Sequence, residues 1–206
     1  MPDSATALAP ETSPAVPATT AADGTDLTPA QRKLLDILRN IGGPLFAILD
    51  AARDDRILQI LAASGEEHQS LYAGLQGEVL APYAPYLVRL PAESPLLETL
   101  IAEGWGQSWG IYLVSGADWK TLRKHFRTFL MVKLPDAQTV YFRYYDPRVL
   151  RIYLPTCNGD ETRQIFGAVS ALLCEGNACD ILQVFQPRDH MPHMVTLSLS
   201  ETKRIP

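Results

Sequence analysis

Four groups of residues have types and spacings that could do chemistry. The stretch GQSWG, Gly106 to Gly110, has the G-x-S-x-G form of a nucleophile elbow, and Asp146 and His190 follow Ser108 in the order of a hydrolase triad. That elbow needs a strand before the serine and a helix after it, so that a sharp turn exposes the hydroxyl. Here a helical pattern closes at Gly104 and a strand-like run begins near Trp109, the reverse order. Two glycines easing a helix-to-strand turn beside two packing tryptophans account for the same residues. Cys174 and Cys179, with His190 and His193, suggest a zinc site. The cysteines are at the wide edge of zinc spacing, the histidines are too close together, and Pro192 lies between them. A turn at Glu175-Gly176-Asn177 between paired strands explains the cysteines equally well, and no metal or other cofactor is expected.

The third group is electrostatic. Residues 120–151 hold eight Lys or Arg against Asp136 and Asp146, a local charge of +6. Clustered cations would gain from counterion release on nucleic acid. Yet no phosphate-binding glycine loop or RNA-binding sheet motif accompanies them, and a charged helix face is most often a solvated or protein-facing surface. The fourth group is FRYYDPRVLRIYLP, Phe142 to Pro155, with four aromatics, three arginines and one aspartate. It has no nucleophile, paired base or metal-ligand set. If a strand runs through 139–146, Val140, Phe142 and Tyr144 face one way and Tyr141, Arg143 and Tyr145 the other. Asp146-Pro147 is a helix start, aspartate at the N-cap and proline at the first helical position. Arg148 and Arg151 then sit on the outer side of that helix. Arginine and aromatic enrichment is typical of protein interface cores, although arginine stems also cover neighbouring surface.

Composition narrows the classes. The 206 residues are 47% hydrophobic and 20% charged, which suits a globular chain of one medium domain. No run approaches the roughly 18 apolar residues of a membrane helix, and no basic-then-apolar signal opens the sequence. Three cysteines are too few for a disulfide framework, which favours a reducing, cytoplasmic setting. The net charge of −5 is uneven: Asp3, Glu11, Asp23 and Asp26 lie in a segment without Lys or Arg, and the rest holds 18 basic against 19 acidic residues, or −1.

The elements that must position these groups follow from punctuation and periodicity. Residues 1–27, rich in Ala, Thr and Pro, read as a disordered tail. Thr28-Pro29 opens a helix, and PLFAILDAA (44–52) is a continuous apolar run of strand length. Asp54 caps a helix through Leu61. SLYAG (70–74) and YLVRL (86–90) read as short strands, and Ser94-Pro95 opens a helix closed by Gly104. WGIYLVS (109–115) is a strand, and 117–129 an amphipathic helix with Leu122, Phe126 and Phe129 inward. LMVKL (130–134) and TVYFRYYD (139–146) suggest a hairpin around Pro135-Asp136. A helix from 147, another near 160–166, and strands near 168–174 and 180–186 complete the pattern. Alternating strands and helices with a late antiparallel pair indicate a single α/β or α+β domain, a mixed sheet flanked by helices, over 28–190. Residues 191–206 read as a C-terminal extension.

The phrase YFRYYDPRVLRIYLPTC, with LFAILDAARD, SLYAGLQGEVLAPYAPYLVRL and EGWGQSWGIYLVS upstream, resembles the effector-adaptor (effector chaperone, Tap/Tec) family of bacterial type VI secretion across roughly residues 44–186. The resemblance implies a non-enzymatic cytoplasmic protein that binds an effector toxin and helps load it onto the VgrG spike, with no role for nucleic acid or membrane. It also implies a second, helical lobe, which is expected to be absent or reduced here. The residues singled out for partner binding are Arg123, Arg127, Tyr141, Arg143, Tyr145, Arg148 and Arg151, with Asp146 and Pro147 as a structural cap. A serine hydrolase built on GQSWG and a nucleic-acid module built on 120–151 are the alternatives.

Overall fold

A computed structural model describes residues 26–133 and 136–200, with the side chains of 75 and 76 left aside. The chain runs α1 (Pro29–Arg39), β1 (Leu45–Asp50), α2 (Asp55–Ser64), β2 (His68–Ser70), α3 (Gly74–Val79), β3 (Pro85–Leu90) and α4 (Pro95–Thr99). It continues through β4 (Gly110–Ser115), α5 (Trp119–Arg127), β5 (Met131–Lys133), β6 (Thr139–Tyr141), α6 (Pro147–Tyr153), α7 (Gly159–Phe166), β7 (Val169–Glu175), β8 (Ile181–Arg188) and β9 (Met191–Ser198). Seven strands form one sheet in the order β2-β3-β1-β4-β7-β8-β9, and β5 and β6 make a separate hairpin. The domain is α+β. Its sheet is antiparallel at every described pairing, where a sheet of mixed direction was expected.

Helix starts follow local chemistry. Thr28 accepts from the Gln31 backbone while the Gln31 side chain accepts from Thr28, and Pro29 fills the first helical position. Asp54, Asp118 and Asp146 cap α2, α5 and α6 through their side chains. Burial on both faces explains the unbroken apolar run of β1. Leu45, Ala47 and Leu49 join one core layer, with Leu34 and Leu38 of α1, Ile57 and Leu61 of α2, and Leu97 of α4. Phe46 and Ile48 join the other, with Leu122 and Phe126 of α5, Leu150 of α6 and Phe166 of α7. Asp50 continues the alternation of Phe46 and Ile48, so the strand aims a carboxylate at the α5–α6 side.

Three expectations are corrected. The strand expected through 139–146 ends at Tyr141; Phe142 N–H still donates to the Leu130 carbonyl, but Asp146 N–H turns back to the Arg143 carbonyl, so 143–146 is a turn. Only Ser70 of SLYAG is in a strand, and the chain turns into α3 at Gly74, whose φ of 76° suits glycine. Residues 191–198 are not an appendage: β9 pairs with β8 along its length, Lys33 Nζ donates to the Ser198 carbonyl at 2.9 Å, and Leu199 is buried. The tail expected over 1–27 lies outside the described residues except for Asp26 and Leu27, and Leu27 packs into the core beside α1. Leu134 and Pro135 of the expected hairpin and residues 201–206 also lie outside them.

Candidate partner-binding surface

The turn at 143–146 decides what the arginine-rich stretch can do. Asp146 is 3% exposed. Its Oδ1 accepts from Arg148 N–H at 3.0 Å and from Arg148 Nε at 3.0 Å, and its Oδ2 from Arg148 Nη2 at 2.6 Å. Burial, the largest influence, pushes the Asp146 carboxyl up, but the Arg148 side chain, backbone N–H and charge together hold it below the usual value. The capping role expected for Asp146 and Pro147 is therefore present, and Arg148 is folded back on the cap it belongs to.

Arg143 pairs with Asp50, whose carboxylate also accepts from Ala52 N–H at 3.3 Å. Asp50 is 1% exposed while the Arg143 side chain is 42% exposed, so the pair has a dry end and a wet end. Tyr145 is 4% exposed and Tyr144 wholly buried, its hydroxyl donating to the Phe126 carbonyl at 2.8 Å. Tyr145 is thus a core residue and leaves the partner-binding set, because the turn replaces the alternation that would have exposed it. Arg151 Nη1 donates to the carbonyls of Glu175 and Gly176, at 2.7 and 2.9 Å, and pins the β7–β8 turn. Arg123 donates to the Ser70 carbonyl at 2.8 and 3.1 Å. Four of the five arginines near the stretch are engaged inside the fold.

Two of the singled-out residues remain. Tyr141 is 57% exposed, and Arg127 makes no hydrogen bond or ion pair among the described residues. They meet on one groove of about 260 Å³ between α3 and the β5–β6 hairpin, together with Tyr72, Leu80 and Met131. The Tyr72 and Tyr141 rings lie 6.0 Å apart. Burial and the like charge of Arg127 both lower the Arg123 pKa, so α5 presents adjacent cations on this side. Sequence periodicity missed Leu80 and Met131, since Leu80 follows a six-residue helix and Met131 opens a three-residue strand, both too short to carry a pattern. A second, open depression on α6 is bordered by Phe142, Arg148, Val149 and Tyr153, with Ile152 75% exposed beside them.

The other candidate chemistries are not assembled. Ser108 has the left-handed backbone (φ 56°) that an elbow would need, but β4 follows it rather than precedes it. Its Oγ donates to Glu175 Oε1 at 3.1 Å, and neither Asp146 nor His190 bonds to it. The buried Glu175 carboxylate also accepts from Gly106 N–H at 2.6 Å and Ser108 N–H at 3.0 Å. Gly110 is required for a different reason: a Cβ there would stand 2.1 Å from the Ile48 carbonyl oxygen, so the glycine lets β4 approach β1. Among the described residues no group of three or more His, Cys, Asp or Glu could hold a metal, and no helix is long and apolar enough to cross a membrane. Cys174 lies buried in β7, whereas His190 lies in the β8–β9 turn and His193 in β9, paired with Gln186.

A family model described as Domain of unknown function (DUF4123) matches residues 45–164, more than half of the chain. The match begins at β1 and ends within α7, so it contains Asp50, the groove and the whole 143–151 corner. No curated protein and no solved structure matches the chain.

Proposed function

The chain belongs to the DUF4123 family, associated with adaptors of type VI secretion effectors, and from that premise we propose that it is a non-enzymatic adaptor. It binds an effector toxin in the cytoplasm and helps bring it to the VgrG spike. The observation that carries this reading is the groove where Arg127 and Tyr141 meet exposed Leu80 and Met131, in a segment whose other arginines are tied into the fold. Exposed aromatic, methionine and arginine side chains around a concave apolar floor are the composition of a protein-binding patch. The hydrolase alternative has less support because the Ser108 hydroxyl is bound to a carboxylate in a buried turn. The nucleic-acid alternative has less support because most of its arginines are engaged at carbonyls and carboxylates.

Co-expression of the tagged full chain with the toxin and spike proteins encoded beside its gene, followed by affinity capture, tests the reading. Retention of the toxin, with VgrG joining in a three-component capture, is the expected result. A chain that retains neither overturns it.

A further inference from the structure

Resting on the adaptor reading, we propose that the groove between α3 and the β5–β6 hairpin receives a short acidic, amphipathic segment of the effector, whose apolar side chains sit on the groove floor and whose carboxylates face Arg127 and the cations around it.

Size is the first argument. At about 260 Å³ the recess is smaller than the roughly 300–1,000 Å³ of typical small-ligand pockets, and it is open. It suits one or two anchoring side chains of a larger partner. The rim is apolar as well: Leu80, Met131 and Tyr141 line the recess and are exposed, and exposed Val79 and Tyr83 flank Leu80 in the chain. Scattered single apolar residues need no explanation, but several around one recess mark an interaction site.

Charge selects the occupant. The outer side of α5 carries Lys120, Arg123, Lys124 and Arg127, and β5 adds Lys133; against these five cations stand three carboxylates, Asp118 at the α5 N-cap, Glu78 on α3 and Asp136 in the hairpin turn. None of these cations has a carboxylate partner among the described residues. A basic or neutral segment would leave this field uncompensated, whereas carboxylates on the partner complement it.

Other occupants fit less well. A bilayer would be met by side chains standing proud at one level, whereas here they line a recess. The chain's own residues 1–25 are acidic, but they offer few large apolar side chains, and the described chain starts at α1 on the opposite face of the sheet from Leu71 and Leu130 of the groove floor.

The experiment uses the full chain in complex with the toxin encoded beside its gene, with p-benzoylphenylalanine placed at the position of Met131 for photo-crosslinking. The expected crosslinked peptide belongs to the toxin, contains more Asp and Glu than Lys and Arg, and includes at least one large apolar residue. Arg127→Glu and Leu80→Asp, each with an unchanged melting temperature, should weaken the complex by about tenfold or more. Raising salt from about 50 to 300 mM should weaken the wild-type complex and narrow its advantage over Arg127→Glu. A crosslink to residues 1–25, to a second copy or to a basic segment overturns the inference, as does flotation with phosphatidylglycerol vesicles abolished by Leu80→Asp. Wild-type affinity in both variants, alongside loss in Ile152→Asp on α6, overturns the groove and leaves the adaptor reading standing. Absence of any complex overturns the adaptor reading itself, and this inference with it.

Discussion

Replacing Arg143 by alanine tests whether the arginine of the FRYYDPR corner serves the fold or a partner. Asp50 sits 1% exposed at the end of β1 and keeps only the Ala52 N–H, at 3.3 Å, when its guanidinium partner is removed. Orphaning one member of a fully buried ion pair costs about 3–5 kcal/mol. Arg143 is 42% exposed, so water already screens one end and can reach the vacated space, which lowers the expectation to about 2–3 kcal/mol. For a domain of this size that corresponds to a fall of about 5–10 °C in melting temperature. The asymmetry sharpens the test. Asp50→Asn leaves a cation that can turn its head to solvent, and should cost only about 1 kcal/mol. In the double variant the carboxylate is gone, so about 1–2 kcal/mol of the Arg143→Ala loss should be recovered. Thermal and urea unfolding of the four proteins of this cycle provide the measurement. An Arg143→Ala protein with unchanged stability but lost effector binding would show that Arg143 serves a partner and not the fold, and strictly additive single effects would show that the Asp50–Arg143 pair is not coupled.

Asp146→Ala should remove both the α6 cap and the Arg148 fork and lower stability by about 1–3 kcal/mol at neutral pH, read by urea unfolding. Because the folded Asp146 carboxyl titrates below its usual 3.8, its contribution is present above that pH and is lost as pH falls through the lower folded value; wild type and Asp146→Ala should converge in strong acid. His125 acts in the same direction at a higher pH. Burial, opposed by the Ile165 carbonyl 2.9 Å from Nε2, lowers its pKa below 6.5, so the unfolded chain takes up a proton first and stability falls on acidification below about pH 6.5. His125→Gln should flatten the melting temperature between about pH 7.5 and 5.5; equal slopes in both proteins would count against this. A fluorophosphonate probe should leave Ser108 unlabelled, while Glu175→Ala, which strips three donors of their acceptor, should cost about 1–3 kcal/mol of stability; labelling of the wild-type serine would reopen the hydrolase reading.

The features legible in the linear chain are those whose partners lie within one turn of backbone. Thr28-Pro29, Asp54 and Asp146-Pro147 mark helix starts because a cap needs only the N–H groups two or three residues ahead. The apolar run of β1 and the stripe of Leu122 and Phe126 on α5 were readable for a similar reason, since burial follows the period of the element. What periodicity could not decide was where an element stops without a break in composition. Tyr141 and Tyr145 are the same residue type four positions apart, yet one is surface and the other core because β6 ends between them. Nor could it pair distant charges. Arg143 reaches Asp50 across 93 residues, Glu175 holds the Ser108 turn across 67, and Arg151 pins the turn after β7. Such partners are chosen by strand order and register, which bring chain ends together with no local sequence signal. Local sequence was enough for the helix caps, the central strand β1, the stripe of α5 and the charge of the 120–151 segment. Long-range packing sets which of those cations are satisfied inside the protein and which, Arg127 foremost, face outward beside an apolar groove, because their partners come from distant strands and turns.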